Sequence, residues 1–159
     1  MHSDGRVVLT MPKYASMRAA EKFLALKKEW ILAKITTFQK RPKRIQLSSS
    51  KKDYLELKSK ALILAKDRLN HFNSFYALRY NQVRIRDQKS RWGSCSKKGN
   101  LTFNFRIALL PEELLDYIIA HELCHIKEFN HSKNFWNLVG LAIPNYSTLK
   151  KELHKYSLK

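Results

Sequence analysis

The spacing of apolar residues predicts helices in the first half of the chain. Residues 16–38 and 53–72 carry apolar side chains at intervals of three and four, which is the period of an amphipathic helix. A Val-rich stretch, residues 6–10, predicts a short strand before the first helix. The segment between the helices, residues 40–52, is basic and contains proline and serine, and it predicts an exposed linker.

The pattern changes to alternation in the middle of the chain. Alternating apolar and polar positions, separated by a Lys97–Asn100 turn, predict a small antiparallel sheet. Its strands are expected at 83–86, 91–96 and 101–106. Helical spacing returns at Pro111, where a proline followed by two glutamates is typical of a helix start. The remaining helices are expected at 111–129, 132–141 and 147–156.

Length and composition indicate a single domain with a small appendage, because the chain has 159 residues and a mass of 18.8 kDa. The charge is unusual, since 31 Lys and Arg against 13 Asp and Glu give +18. Segments 40–60 and 79–98 each carry +6, whereas the predicted helix 111–129 carries −4. The basic segments predict either a solvated surface or contact with nucleic acid.

Other features set the expected environment. The two cysteines, Cys95 and Cys124, are too few for a disulfide scaffold, and both are expected to be structural thiols. No apolar run is long enough to cross a bilayer, and the first residues lack the layout of a signal peptide. We therefore expect a reduced, cytoplasmic protein with no membrane partner.

The predicted helix 111–129 contains the sequence His121-Glu122-Leu123-Cys124-His125. Histidines four residues apart lie on one face of a helix, so both imidazoles can bind a single ion. Zinc suits imidazole nitrogens and keeps a coordination position open for water. Glu122 is poorly placed to be a third ligand, and we expect it to hold and deprotonate a metal-bound water.

A third ligand is needed, and the sequence offers two candidates. His131 lies ten residues after His121, close enough for a turn to return its ring to the metal. Glu152 is the alternative, although it is also suited to an ion pair with Lys155. The ten-residue spacing resembles that of metzincins, but Glu128 replaces their glycine and no methionine follows the site. A metzincin is therefore not expected.

Taken together, these residues resemble the YgjP-like metallopeptidases, a zincin-like family related to the SprT-like and WLM groups. The resemblance covers residues 54–136 well and reaches more weakly to residues 4–8 and 12–31. The matching positions are Arg91-Trp92-Gly93-Ser94-Cys95-Ser96, Asn104, Pro111, His121 to His125, Asn130-His131-Ser132 and Phe135-Trp136. Family members usually have a longer N-terminal β region, so the N-terminal β subdomain is expected to be incomplete here.

The resemblance implies one zinc ion per chain, held by His121, His125 and His131, with Glu122 as general base. It also implies a substrate cleft beside the sheet, with Trp92, Gly93, Ser94, Cys95 and Asn104 as candidate cleft residues. An extended peptide typically adds to such a sheet edge.

We therefore expect an α+β zincin-like metallopeptidase domain at residues 51–159, preceded by a strand–helix region and linker at residues 1–50. The expected activity is zinc-dependent hydrolysis of peptide bonds. The alternative is a nucleic-acid-associated zincin, either a DNA-linked protease like the SprT-like proteins or a non-catalytic binding module. Tyr117, Asn104 and His154 are the candidate groups for stabilising the oxyanion.

Overall fold

A computed structural model of the protein describes residues 7–39, 45–47 and 51–158. The chain divides into two compact units, Met1–Lys43 and Arg44–Lys159. In the first unit, helix α1 spans Met17–Gln39, and the Ser16 hydroxyl accepts a hydrogen bond from the backbone N–H of Ala19. This is the interaction expected of a helix N-cap.

The strand predicted at residues 6–10 is wrong for its described part, because residues 7–10 have no regular secondary structure. No strand occurs among the described residues of the first unit. Residues 7–10 therefore have no neighbouring strand in that unit with which to form the hydrogen bonds of a sheet. Part of the predicted linker 40–52 lies outside the described residues. Its described part includes a short strand and the beginning of the next helix.

The second unit has its main strands and most of its helices in separate stretches of the chain, as predicted for an α+β domain. The helices begin and end close to the predicted positions, except that α3 ends five residues before Phe129. The elements, in chain order, are β1 (Ile45–Gln46), α2 (Lys51–Tyr76), β2 (Val83–Arg86), β3 (Gly93–Cys95), β4 (Leu101–Asn104), a 3₁₀ helix (Phe105–Leu109), α3 (Glu112–Cys124), α4 (Lys133–Ala142), α5 (Tyr146–Leu153) and β5 (Tyr156–Ser157).

The three-stranded sheet has the order β2-β4-β3 and is mixed. Strands β3 and β4 pair antiparallel, as predicted, across a turn in which Gly99 has φ +72°. Strand β2 pairs with β4 in parallel, with Val83 opposite Leu101, so the antiparallel prediction is wrong for this pair. The physical reason is the connection: residues 87–92 cross from β2 to the far side of β4 before the hairpin begins.

The core of the second unit lies between α2, the sheet and α3. Its largest fully buried side chains include Leu69 of α2, Phe103 of β4 and Ile119 of α3. An ion pair at the margin of this core ties two helices together, because the Arg68 guanidinium donates to both carboxylate oxygens of Asp116 at 2.5 Å. A bidentate pair of this kind fixes the orientation of α3 on α2.

The end of the chain returns to the same unit. Strand β5 pairs in parallel with β1, with Ile45 opposite Tyr156. The Arg106 side chain donates to the Leu47 carbonyl at 3.0 Å and forms an ion pair with Asp87. These contacts place the last described residues next to the loop that precedes β3. None of the helices in the described ranges has both the length and the apolar composition of a membrane span.

Candidate metal centre and cleft

Three histidines converge at the C-terminal end of α3. Candidate ligand nitrogens of His121, His125 and His131 all lie within 4.8 Å of one another. Nε2 of His121 lies 3.1 Å from Nε2 of His131. This spacing suits two ligands of one ion, since zinc–nitrogen bonds measure about 2.0–2.1 Å.

The early end of α3 explains how His131 reaches the other two histidines. The helix ends at Cys124, and His125 follows in helical conformation with φ −64° and ψ −13°. Backbone N–H groups of Lys127 and Glu128 then both donate to the Cys124 carbonyl, forming a tight turn. This turn returns the chain toward the other two histidines. Metzincins use a glycine for such a turn, at the position that Glu128 occupies here.

Hydrogen bonding and burial prepare these rings to bind a cation. His125 Nδ1 lies 2.9 Å from the Glu128 carbonyl, which can only accept, so Nδ1 is the donor and Nε2 is the nitrogen available as a ligand. Burial and the neighbouring His125 and His131 lower the pKa of His121 to about 3. Burial also lowers the pKa of His131. Three imidazoles whose nitrogens lie this close together form a donor set that fits a zinc ion.

Helix α4 holds the histidines from the other side. The Ser132 hydroxyl caps this helix by accepting from the backbone N–H of Phe135. Phe135 stacks on His125 with ring centroids 4.4 Å apart, and Trp136 stacks on His131 at 5.5 Å. Phe135 and Trp136 therefore anchor the segment that follows His131, which is the packing role expected from the sequence.

Glu122 is the buried carboxylate of the site, with only 7% of its surface exposed. Burial raises its pKa to about 8, and the nearby Arg91 acts in the opposite direction. Its side chain lies against Gly93 of β3, where a Cβ atom would stand 2.5 Å from Glu122 Cγ. Residue 93 therefore has to be glycine for the carboxylate to occupy this position.

The other predicted site residues have separate positions. Glu152 forms the predicted ion pair with Lys155, at 2.5 Å, and does not belong to the three-histidine cluster. Asn104 is fully buried, so it is not a cleft residue as predicted. Its amide group donates to the Gln88 and Arg91 carbonyls and accepts from the Arg106 N–H. It thus fixes the loop that leads into β3.

Strand β3 has one edge free of β4. The Trp92 carbonyl accepts from the Asn104 N–H of β4, and the Ser96 N–H donates to the Asn100 carbonyl just before β4. The register places Ser94 opposite Thr102. Alternation along an antiparallel strand therefore directs the N–H and C=O groups of Gly93 and Cys95 away from β4. Cys95 itself is half-buried, and burial raises the pKa of its thiol to about 11. The thiol is protonated at neutral pH, as expected of a structural cysteine.

Two adjoining cavities form the cleft. One has a volume of about 220 Å³ and contains the catalytic candidates; the other has about 480 Å³ and extends toward the end of the chain. Trp92, Tyr117 and Leu153 line both. The further residues of the smaller cavity are Arg91, Gly93, Ile118, His121 and Glu122; those of the larger are Lys89, Ser90, Lys150, His154, Tyr156, Ser157 and Leu158.

Sequence reasoning missed most of the larger cavity. Lys150, Leu153 and Tyr156 come from the last helix and strand, far along the chain from Trp92. No local motif marks them, because only the tertiary packing of α5 and β5 brings them to the site. Tyr117 could be identified from the sequence, because it lies one helical turn before His121. In the structure their ring centroids are 5.7 Å apart.

The basic segments lie on the surface where they are described. All seven lysines and arginines of residues 79–98 are exposed. Part of segment 40–60 lies outside the described residues. Exposure suits a solvated surface and a polyanion-binding surface equally, so contact with nucleic acid stays a prediction.

Comparisons with known proteins show similarity to metallopeptidases. Residues 51–156 match the family described as YgjP-like, metallopeptidase domain. The structure is similar to the crystal structure of the metallopeptidase zymogen of Pyrococcus abyssi abylysin, with 30% sequence identity and a TM-score of 0.52. The similarity covers 57% of this chain and 93% of that one. Among curated proteins, none matches this chain.

The fold and the family match define a metallopeptidase, and thus a hydrolase that acts on peptide bonds. The chain belongs to the YgjP-like metallopeptidase family.

Proposed function

We propose that the protein is a zinc-dependent peptidase with one metal site per chain, held by His121, His125 and His131. The convergence of three imidazoles beside a buried glutamate is the observation that supports this proposal. Residues 51–159 form the peptidase domain in this proposal, and residues 1–50 form an N-terminal region. Zinc, when bound, supplies Lewis acidity toward the scissile carbonyl and toward water.

Glu122 is the proposed general base and acid. Its carboxylate takes a proton from the attacking water as the oxygen–carbon bond forms, and returns a proton to the amine nitrogen as the carbon–nitrogen bond breaks. Its position against Gly93 keeps the carboxylate at the floor of the smaller cavity, next to His121. Burial favours proton uptake by this group, which suits a base that must hold the proton between the two steps.

The free edge of β3 is the proposed binding site for the substrate backbone. An extended peptide placed there would bond to the N–H and C=O groups of Gly93 and Cys95. Because Gly93 contacts Glu122, the same strand that aligns the peptide also borders the base. Trp92 lines both cavities and contributes an apolar wall.

Tyr117 is the proposed oxyanion stabiliser among the three candidates. It lines the cavity that contains Glu122, and burial raises its pKa to about 12, so its hydroxyl stays protonated and can donate. Asn104 is excluded because its amide is fully buried and engaged with backbone groups. His154 lines the larger cavity only.

Substitution of Glu122 by glutamine tests this function directly. The Glu122→Gln variant is expected to retain zinc and to lose cleavage of an unbiased peptide library, read by mass spectrometry. Glu113→Gln is the matched control, because Glu113 is an exposed carboxylate at the start of the same helix. Cleavage at the wild-type rate by Glu122→Gln, or no cleavage by the zinc-loaded wild type, would overturn the proposal.

A further inference from the structure

The larger cavity combines apolar walls with positive charge. Trp92, Tyr117, Leu153 and Tyr156 supply the walls, and Lys89 and Lys150 lie among the lining residues. None of the described residues that line it carries a carboxylate. Its volume of about 480 Å³ is within the range of ligand-binding pockets, about 300–1,000 Å³.

Lys150 is held close to the metal centre by aromatic packing. Its ammonium lies 4.3 Å from the centroid of the Trp136 ring. Trp136 also stacks on Tyr146, with ring centroids 5.0 Å apart, and on His131, at 5.5 Å. Lys150 therefore stands one aromatic ring away from a proposed metal ligand, and cation–π contact restricts where its charge can go.

The two cavities adjoin, since Trp92, Tyr117 and Leu153 line both. A peptide whose scissile bond lies at Glu122 would thus place a neighbouring residue in the larger cavity. Lysine side chains in a cavity whose described lining has no carboxylate favour a substrate side chain that ends in a carboxylate, and they disfavour one that carries a positive charge.

We propose that the larger cavity is a substrate subsite that binds a carboxylate of the peptide, with Lys150 and Lys89 as its cationic partners. The inference rests on the proposed peptidase function and adds to it a preference for acidic substrates. The carboxylate can come from an Asp or Glu side chain or from the peptide C-terminus. A polyphosphate backbone is disfavoured as the occupant because most of the cavity wall is apolar.

Peptide binding tests the subsite apart from catalysis. Zinc-loaded Glu122→Gln protein is titrated into fluorescent peptides that differ only in having Glu, Gln or Lys at one position, with both termini blocked. A fourth peptide has Gln and a free C-terminus. We expect the Glu peptide or the free-carboxylate peptide to bind about tenfold more tightly than the blocked Gln peptide. The stronger of the two identifies the source of the carboxylate.

Substitution of the lysines tests which residues cause the preference for a carboxylate. Lys150→Met, made in the same protein, should reduce the tenfold difference to about threefold or less, and Lys150→Glu should shift the preference to the Lys peptide. Lys66→Met, at an exposed position on α2, is the matched control and should leave the difference unchanged. A single-stranded oligonucleotide is added as a competitor, and we expect the bound peptide to stay bound.

Three results would overturn the proposed subsite. The first is equal binding of all four peptides, and the second is no binding of any of them. The third is a carboxylate preference that is retained in both Lys150→Met and Lys89→Met. Displacement by the oligonucleotide would overturn it too. Wild-type cleavage of the same peptides is measured separately. Cleavage without a carboxylate preference would contradict the subsite alone, whereas a carboxylate preference without cleavage would contradict the peptidase function alone.

Discussion

Gly93 and Glu122 are in such close contact that a Cβ atom on residue 93 would lie 2.5 Å from Glu122 Cγ and 2.8 Å from Oε1. No side chain separates the edge strand β3 from the catalytic candidate on α3. The strand that is proposed to align the substrate therefore passes directly over the base that is proposed to act on it. The glycine is needed for space at this position.

Gly93→Ala is expected to reduce peptide cleavage by at least about tenfold while zinc content stays unchanged. The added methyl group forces the Glu122 side chain to move, and a displacement near 1 Å can cost about a hundredfold in rate. Initial rates and elemental analysis of the purified variant check this. Gly140→Ala is the control, because its Cβ would meet the Tyr146 ring at an ordinary 3.5 Å. Full activity in Gly93→Ala would show that the carboxylate position is not critical.

Tyr117→Phe is expected to lower kcat by about a hundredfold or more and to change KM little. Removal of a single oxyanion donor has an effect of this size in other hydrolases. Steady-state kinetics on one cleaved peptide separates the two constants. Tyr54→Phe is a suitable control, since Tyr54 packs edge-on against Phe105, away from the cavities. A kcat equal to that of the wild type would remove Tyr117 from the mechanism.

In the metal-free protein, the contribution of Glu122 to stability should fall as pH rises. The pKa of this group is about 8 in the folded protein and near 4.5 when unfolded, so the folded state binds the extra proton between these values. The stability that Glu122 contributes is present below pH 4.5 and is lost as pH rises to 8. The expected slope is about −1.4 kcal/mol per pH unit.

The comparison with Glu122→Gln isolates this slope. His121 acts in the opposite direction at low pH, because its folded pKa of about 3 lies below the unfolded value. Urea denaturation of both proteins in chelator, between pH 5 and pH 8, gives the difference in free energy of unfolding. Parallel curves for the two proteins would mean that the Glu122 carboxylate is ionised throughout.

Asn104→Ala is expected to destabilise the protein by about 3 kcal/mol. The substitution removes a fully buried amide and leaves the Gln88 and Arg91 carbonyls without its hydrogen bonds. Chemical denaturation measures the loss. Asn137→Ala, at an exposed position in α4, should change stability by no more than about 0.5 kcal/mol. A similarly small change for Asn104→Ala would contradict the role assigned to its amide.

The sequence predicted the elements that depend on local pattern. Helical periodicity located α1 to α5, and the spacing of His121 and His125 identified the metal face of α3. His131 could be proposed from chain proximity alone, because a turn of a few residues is enough to return it. The ion pair that engages Glu152 was also predictable, since Lys155 is three residues away.

The remaining features depend on tertiary structure and were beyond local reasoning. The parallel pairing of β2 with β4 follows from a crossover that no alternation pattern encodes. The strand predicted at 6–10 needed a partner strand as well as a suitable pattern. Asn104 looked like a cleft residue because a polar side chain at the end of a strand can face solvent or a buried loop. The sequence does not distinguish the two cases.

Metal content of the wild type and two variants tests the central claim most directly. Elemental mass spectrometry should find about one zinc per chain in the wild type and in Glu152→Gln, and far less in His131→Ala. The geometry predicts this because His131 Nε2 faces His121 Nε2, whereas Glu152 is engaged with Lys155. The three-histidine site would be contradicted if His131→Ala kept its full zinc content while Glu152→Gln lost it. The metal centre itself would be contradicted if a well-folded wild type took up no added zinc.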